Sequence, residues 1–184
     1  MKTITLVSFL VLLVSPCVLA RDADQAADGM KKNMTKMMLT NDSFVKKAAM
    51  SNAAEIEISK LALTRSQSPQ VKSFAEQMVR DHSTAAKELQ EVAQKQGFAV
   101  PGGTDHAHQS NMKKMEQLTG ADFDKAYGEQ MRKDHKKAVS LFSAASEDQS
   151  LDPNLRELAN KLLPTLRQHQ HEAQNLPDDR ESSH

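Results

Sequence analysis

Glu55, His82, His135 and His169 are side chains of the kinds that hold metals or move protons, and each falls on the apolar line of a different helical segment. A carboxylate or imidazole turned into an apolar face costs several kcal/mol unless it is paired or bound to an ion. Four such groups facing one axis therefore have two uses. They can bind a divalent transition metal, since imidazole and carboxylate suit Zn, Fe, Mn or Cu. Alternatively, Glu55 pairs with a protonated histidine in a hydrogen-bonded network that fixes helix register and holds no ion.

Two of the histidines close a repeated block. Glu76-Gln77-Met78-Val79-Arg80-Asp81-His82 recurs as Glu129-Gln130-Met131-Arg132-Lys133-Asp134-His135, identical at five of seven positions and offset by 53 residues, which hints at a duplicated helix pair. At about 100° per residue, His82 lies about 40° from Met78, whereas Glu76 points about 120° away. The block is thus no local metal cage, and Met78 and Met131 read as core filler. Asp81 and Asp134 read as structural polar residues beside the histidines. The di-iron pattern, a Glu three positions before a ligand His, is absent, because Val79, Arg132 and Leu166 stand there. No Gly-rich phosphate loop, H-E-x-x-H or G-x-S-x-G motif occurs, so catalysis has no positive support.

Four long amphipathic helices must position these groups. The first runs from an N-cap at Asp42 or Ser43 to about Ser66, with Phe44, Ala48, Asn52, Glu55, Ser59 and Ala62 inward and Val45, Ala49, Ile56 and Leu63 widening the stripe. Ser68-Pro69 starts the second, which Gly97 ends; its line is Val71, Ala75, Met78, His82, Ala86 and Leu89. Phe98 to Gln109 reads as a surface loop, Ser110 to Leu118 as a short helix, and Gly120 as an interruption. The third long helix covers Ala121 to Glu147 with Phe123, Tyr127, Met131, Ala138 and Phe142 inward. Asp152-Pro153 opens the fourth, which reaches about Gln174 along Leu155, Leu158, Leu162, Leu166, His169 and Ala173, with Pro164 inside. Each stripe needs neighbours to leave water, so an all-α four-helix bundle follows.

Composition agrees. The chain has 184 residues, 24 Lys plus Arg against 24 Asp plus Glu, 4% aromatics, no Trp and one Tyr. That length suits one domain, the aromatic poverty disfavours strands, and the charge balance argues against a nucleic-acid partner held by charge. Lys2, the apolar Ile4–Val14 and the Val18-Leu19-Ala20 cleavage site read as a signal peptide over 1–20, too short and too broken at Ser15-Pro16 for a membrane anchor. Pro16 before Cys17 disfavours lipidation. Cleavage would leave 23 basic against 24 acidic residues and no cysteine, hence no disulfide and no zinc-thiolate site. No later segment is long and apolar enough to span a bilayer.

A loosely ordered leader follows over 21–41, the bundle over 42–175 and a charged tail over 176–184. Met30, Met34, Met37 and Met38 in the leader are soft ligands suited to Cu(I), or with Lys31, Lys32 and Lys36 form a weak membrane-surface helix; the plain reading is a flexible leader. His106 and His108, with His169 and His171, form a second conceivable surface metal set, against the plainer reading of solvated loop histidines.

Phe44-Val-Lys-Lys-Ala-Ala through Glu55, Ser68-Pro69 through Met78-Val79-Arg80-Asp81-His82-Ser83, and Leu163-Pro164-Thr165-Leu166-Arg167-Gln168-His169 together resemble the domain of unknown function 4142 family over about residues 40 to 175. The resemblance implies a ferritin-like helical bundle exported to a bacterial envelope, with the periplasm as its compartment, and no established reaction. It carries over Glu55, Asp81, His82, His135 and His169 as motif positions. The family often has small Gly-type residues where this chain has Ser51-Asn52. The resulting expectation is a non-enzymatic exported envelope protein, stress-related or bound to an unknown envelope partner; the alternative is a metal-binding bundle using Glu55, His82, His135 and His169, with a divalent transition metal as cofactor.

Overall fold

A computed structural model describes residues 39–178. The expected signal peptide, the methionine cluster and all but the last residues of the expected leader, and most of the expected charged tail lie outside the described residues. Five helices occupy the rest: α1 Asn41–Arg65, α2 Pro69–Lys95, α3 His106–Met115, α4 Gly120–Glu147 and α5 Pro153–Ala173. There is no strand among the described residues.

Their ends follow local chemistry. Thr40 and Ser43 form a capping box that starts α1 two or three residues earlier than a cap at Asp42 or Ser43 would. Ser68 and Asp152 cap α2 and α5, each with Pro in the first turn. Gly97, at φ +78°, ends α2, with the Phe98 amide bonded to the Ala93 carbonyl and that of Gly97 to Gln94. Pro164 lies inside α5, which continues through it.

The expected loop over Phe98–Gln109 is shorter than read. Asp105 accepts from the His108 amide and starts α3 at His106, so both histidines sit in its first turn. Gly120 does not interrupt a helix but opens α4, at φ +57°.

α1 packs along α2 and α4 along α5, while α1 against α4 and α2 against α5 close a four-helix ring. One apolar cluster joins the start of α1 (Phe44, Val45, Ala48), the end of α2 (Leu89, Ala93), the end of α4 (Ala138, Phe142, Ala145) and the start of α5 (Leu155, Leu158, Ala159). A second joins the opposite ends: Ile58 and Ala62, Val71 to Met78, Phe123 to Met131, and Ala173. Every neighbouring pair in the ring is therefore antiparallel. Because α2 and α4 both start at the second end, the 96–119 connection must travel the length of the bundle. Phe98 and Val100 pack on the first cluster and Met112, Met115 and Leu118 on the second. One long crossover of this kind is the ferritin-like arrangement.

Burial of each large apolar side chain contributes about 1.5–3 kcal/mol. The stripes are as read, with shifts: Ile58 and Ala54 are buried in α1 where Ile56 and Leu63 are half-buried, Phe74 is buried in α2 where Ala86 is half-buried, and Leu163 replaces Leu162 in α5. Between the two clusters lies a polar layer. Asn52, Glu55, His82, His135 and His169 fill it, all buried.

Candidate metal centre

Each helix of the ring supplies one member of that layer: α1 Glu55, α2 His82, α4 His135 and α5 His169. Successive turns of apolar residues above and below hold the four at one height. The imidazole centroids form a near-equilateral triangle, 5.7 Å from His82 to His135, 5.4 Å from His82 to His169 and 5.4 Å from His135 to His169. One ligand nitrogen from each of the three lies within 4.8 Å of the others. Among the described residues this is the group of three or more metal-ligating side chains close enough to share an ion. Phe74 meets the edges of His135 and His169 and, on its other side, Tyr127. Phe74 thus links the layer to the second cluster, of which it is a member.

The hydrogen bonds assign the ring nitrogens. His82 Nδ1 donates to Asn52 Oδ1 at 2.7 Å, His135 Nδ1 to the Met131 carbonyl at 2.9 Å, and His169 Nε2 to Asp81 Oδ2 at 2.9 Å. The remaining nitrogens, His82 Nε2, His135 Nε2 and His169 Nδ1, are buried and accept or donate no hydrogen bond. Metal-binding histidines are held in this way: the outer N–H engages a carboxylate, carbonyl or amide oxygen, which fixes the tautomer and turns the basic nitrogen to the ion.

Glu55 stands beside two of the three histidines. Its Oε1 accepts from Ser51 Oγ at 3.1 Å. Its Oε2 stands 3.0 Å from His82 Nε2 and 3.7 Å from His135 Nε2, without the alignment of a hydrogen bond. Ligands of a four-coordinate ion with bonds of 2.0–2.1 Å stand about 3.3 Å apart, so Glu55 is already at coordinating separation and the three nitrogens need draw in by roughly an ångström. Leaving each buried polar atom unpaired costs about 1–3 kcal/mol, which a shared cation would offset. The donor set fits such an ion.

Electrostatics point the same way. Burial pushes Glu55 up, but the charge and proximity of His82, then of His135, outweigh it and hold the carboxyl at about 2. Burial alone would lower His82, yet the Glu55 carboxylate raises it above the usual histidine range. His169 goes the other way: burial lowers it, and its bond to Asp81 only partly opposes that. The layer thus holds a carboxylate, a histidine that keeps a proton through Glu55, and a histidine biased toward its neutral, ligating form.

The four residues picked out from the sequence are together. Asp81, half-exposed, acts through His169. Asp134 is buried but sits outside the layer, accepting from Gln130 and standing 3.7 Å from Lys137; burial raises its carboxyl. The conceivable set of His106, His108, His169 and His171 does not form, because His169 is enclosed at the axis while His108 is tied to Asp105 at the start of α3. The sequence places Asn52 on the inner line without a role and gives Ser51 none. Their spacing, three residues before Glu55 for Asn52 and four for Ser51, is the signal that was available.

Fold and centre define a class: an all-α, ferritin-like four-helix bundle with a buried three-histidine, one-carboxylate layer. The chain belongs to the DUF4142 domain-of-unknown-function family, whose profile matches residues 24–176. Among solved structures, CopM in its Cu(II)-bound form has 19% identity and a TM-score of 0.62, covering 74% of this chain and 95% of that one. CopM in its Cu(I)-bound form gives the same identity and TM-score, with 94% of that chain covered. A candidate secreted DUF305 protein from Streptomyces coelicolor has 13% identity and a TM-score of 0.61, over 72% of this chain and 88% of that one. At these identities the likeness is one of fold. No curated protein matches the sequence. Among the described residues, no helix is long and apolar enough to cross a membrane.

Proposed function

We propose that this protein is an exported, non-enzymatic bundle that binds one divalent transition ion, Cu(II) or Zn(II), with His82 Nε2, His135 Nε2, His169 Nδ1 and Glu55 Oε2 as ligands. The observation that carries the reading is the triple division of the imidazoles: three outer nitrogens tied to three different acceptors, and three inner, buried ones of which His82 Nε2 and His135 Nε2 face the Glu55 carboxylate and His169 Nδ1 has no hydrogen-bond partner. Three nitrogens and one carboxylate oxygen are borderline donors, for which Cu(II) has the highest affinity among first-row divalent ions and Zn(II) a natural geometry. Structures of similar fold hold Cu(II), Cu(I) or Ag, which agrees with this class of ion. Export is supported by Lys2, the apolar Ile4–Val14 and the small-residue site at Val18-Leu19-Ala20, and by the secreted candidate among the similar folds.

The second reading, a polar network that only sets register, has the Glu55–His82 pair in its favour. It leaves the inner nitrogens of His135 and His169 without a function. The chain has one tyrosine and no tryptophan, and Tyr127 lies one ring contact, through Phe74, from His135 and His169. Its fluorescence is therefore a local reporter. Cu(II) titration should quench it with an end point at one ion per chain in the wild type, and the His82→Gln, His135→Gln double variant should lose that end point while keeping its helical content. No saturable end point in the wild type would overturn the reading.

A further inference from the structure

An ion buried in a four-helix ring needs a way in, and the structure offers two seams that are approximately equivalent. Asp81 and Ala85 on α2 correspond through the repeated block to Asp134 and Ala138 on α4. The first pair borders the α2–α5 seam and the second the α1–α4 seam.

The seams differ in what lies beneath and around them. Under the α2–α5 seam is a cavity of about 30 Å³ whose inner wall includes His82, His169 and Asn52, all buried members of the centre, and whose rim is the half-buried Asp81, Ala85, Leu162 and Thr165. That volume admits an ion with a water molecule, since one water-sized sphere needs about 10–15 Å³. No Lys or Arg lines it. Asp81 is 36% exposed, yet its Oδ2 reaches the buried His169 Nε2 at 2.9 Å, so one carboxylate touches both solvent and centre. The α1–α4 cleft is larger, about 630 Å³, and reaches Ser51 and Asp134, but Lys46, Lys47 and Lys137 outnumber its carboxylates Asp105 and Asp134, and Lys137 engages Asp134. Such a rim repels a cation where a lone carboxylate attracts one.

We propose that the metal ion enters and leaves through the α2–α5 seam, meeting Asp81 first and passing between Ala85 and Thr165 to His169 and His82. This rests on the metal-binding reading above. Ala85 and Thr165 are small, and neither is a ligand nor bonded to one, so they set the width of the port and not the affinity of the site.

Stopped-flow mixing with Cu(II) alone, read by Tyr127 fluorescence, and competition dissociation with a chelator test the route. Ala85→Leu should slow association and dissociation together by about tenfold or more, leaving Kd within about twofold, because a passage that needs a wider opening slows both directions. Thr165→Ala should accelerate both, which keeps the test decisive if Ala85→Leu does not fold. Unchanged rates in the folded variants, or a loss of affinity through faster dissociation alone, would overturn the route while leaving the site intact. Absence of Cu(II) binding by the wild type would overturn the site and the route with it.

Discussion

Glu55 Oε2 on α1 approaches His82 Nε2 on α2 to 3.0 Å in the polar layer between the two apolar clusters. The carboxylate raises the proton affinity of the imidazole in the metal-free protein, and under the proposed reading it would become a ligand beside it once an ion replaced the proton. In Glu55→Gln, burial should act on His82 opposed only by the charge of Asp81, and its ring should titrate lower than in the wild type. Histidine NMR resolves this directly, and an unchanged His82 titration would contradict the assignment.

Proton release should follow ion binding. Because His82 is raised above its ordinary 6.5, an ion taking its Nε2 at pH 6.5 must displace a proton, whereas well above the folded value there is none to displace. Calorimetry in buffers of different ionisation enthalpy should find about one proton released per ion at pH 6.5 and fewer as pH rises.

The metal-free fold should show a matching pH dependence. Glu55 is lowered from 4.5 to about 2, so its contribution is complete above 4.5 and lost as pH falls toward 2. His82 is raised, so its contribution is complete below 6.5 and lost as pH climbs through its folded value. The pair therefore stabilises most between about 4.5 and 6.5. His169, lowered by burial, has no effect on stability above 6.5 and subtracts from it as pH falls below that value. Thermal melts of wild type and His169→Leu should differ in that direction, the variant holding stability better on the acid side.

His135→Leu separates a metal site from a register-setting network. Replacing a buried imidazole with an unpartnered nitrogen by an apolar side chain should leave the metal-free Tm unchanged or raised, while ion binding disappears. A marked loss of stability would favour the network.

The outer acceptors should matter nearly as much as the ligands. Asn52→Ala removes the acceptor of His82 Nδ1 and should weaken ion affinity about 10–100-fold by freeing the ring. Competition with a chelator of known affinity measures it.

Fold class, helix number and the inward set were legible in the chain because helical periodicity turns spacing into direction: Glu55, His82, His135 and His169 fall on apolar lines whatever their neighbours are. Caps such as Ser68-Pro69 and Asp152-Pro153 are equally local, and both start helices where expected. What periodicity cannot carry is height and partner. The repeated block makes Asp81 and Asp134 alike, yet Asp81 faces α5 and reaches His169, while Asp134 faces the lysine-rimmed α1–α4 cleft. Asn52 and Ser51 acquire roles only because α2 brings His82 beside them and the helix turn brings Ser51 over Glu55. Direction on a helix is a property of one segment, whereas a shared layer, its partners and its port depend on the long crossover that sets how four segments align, and that alignment exists only in the packed bundle.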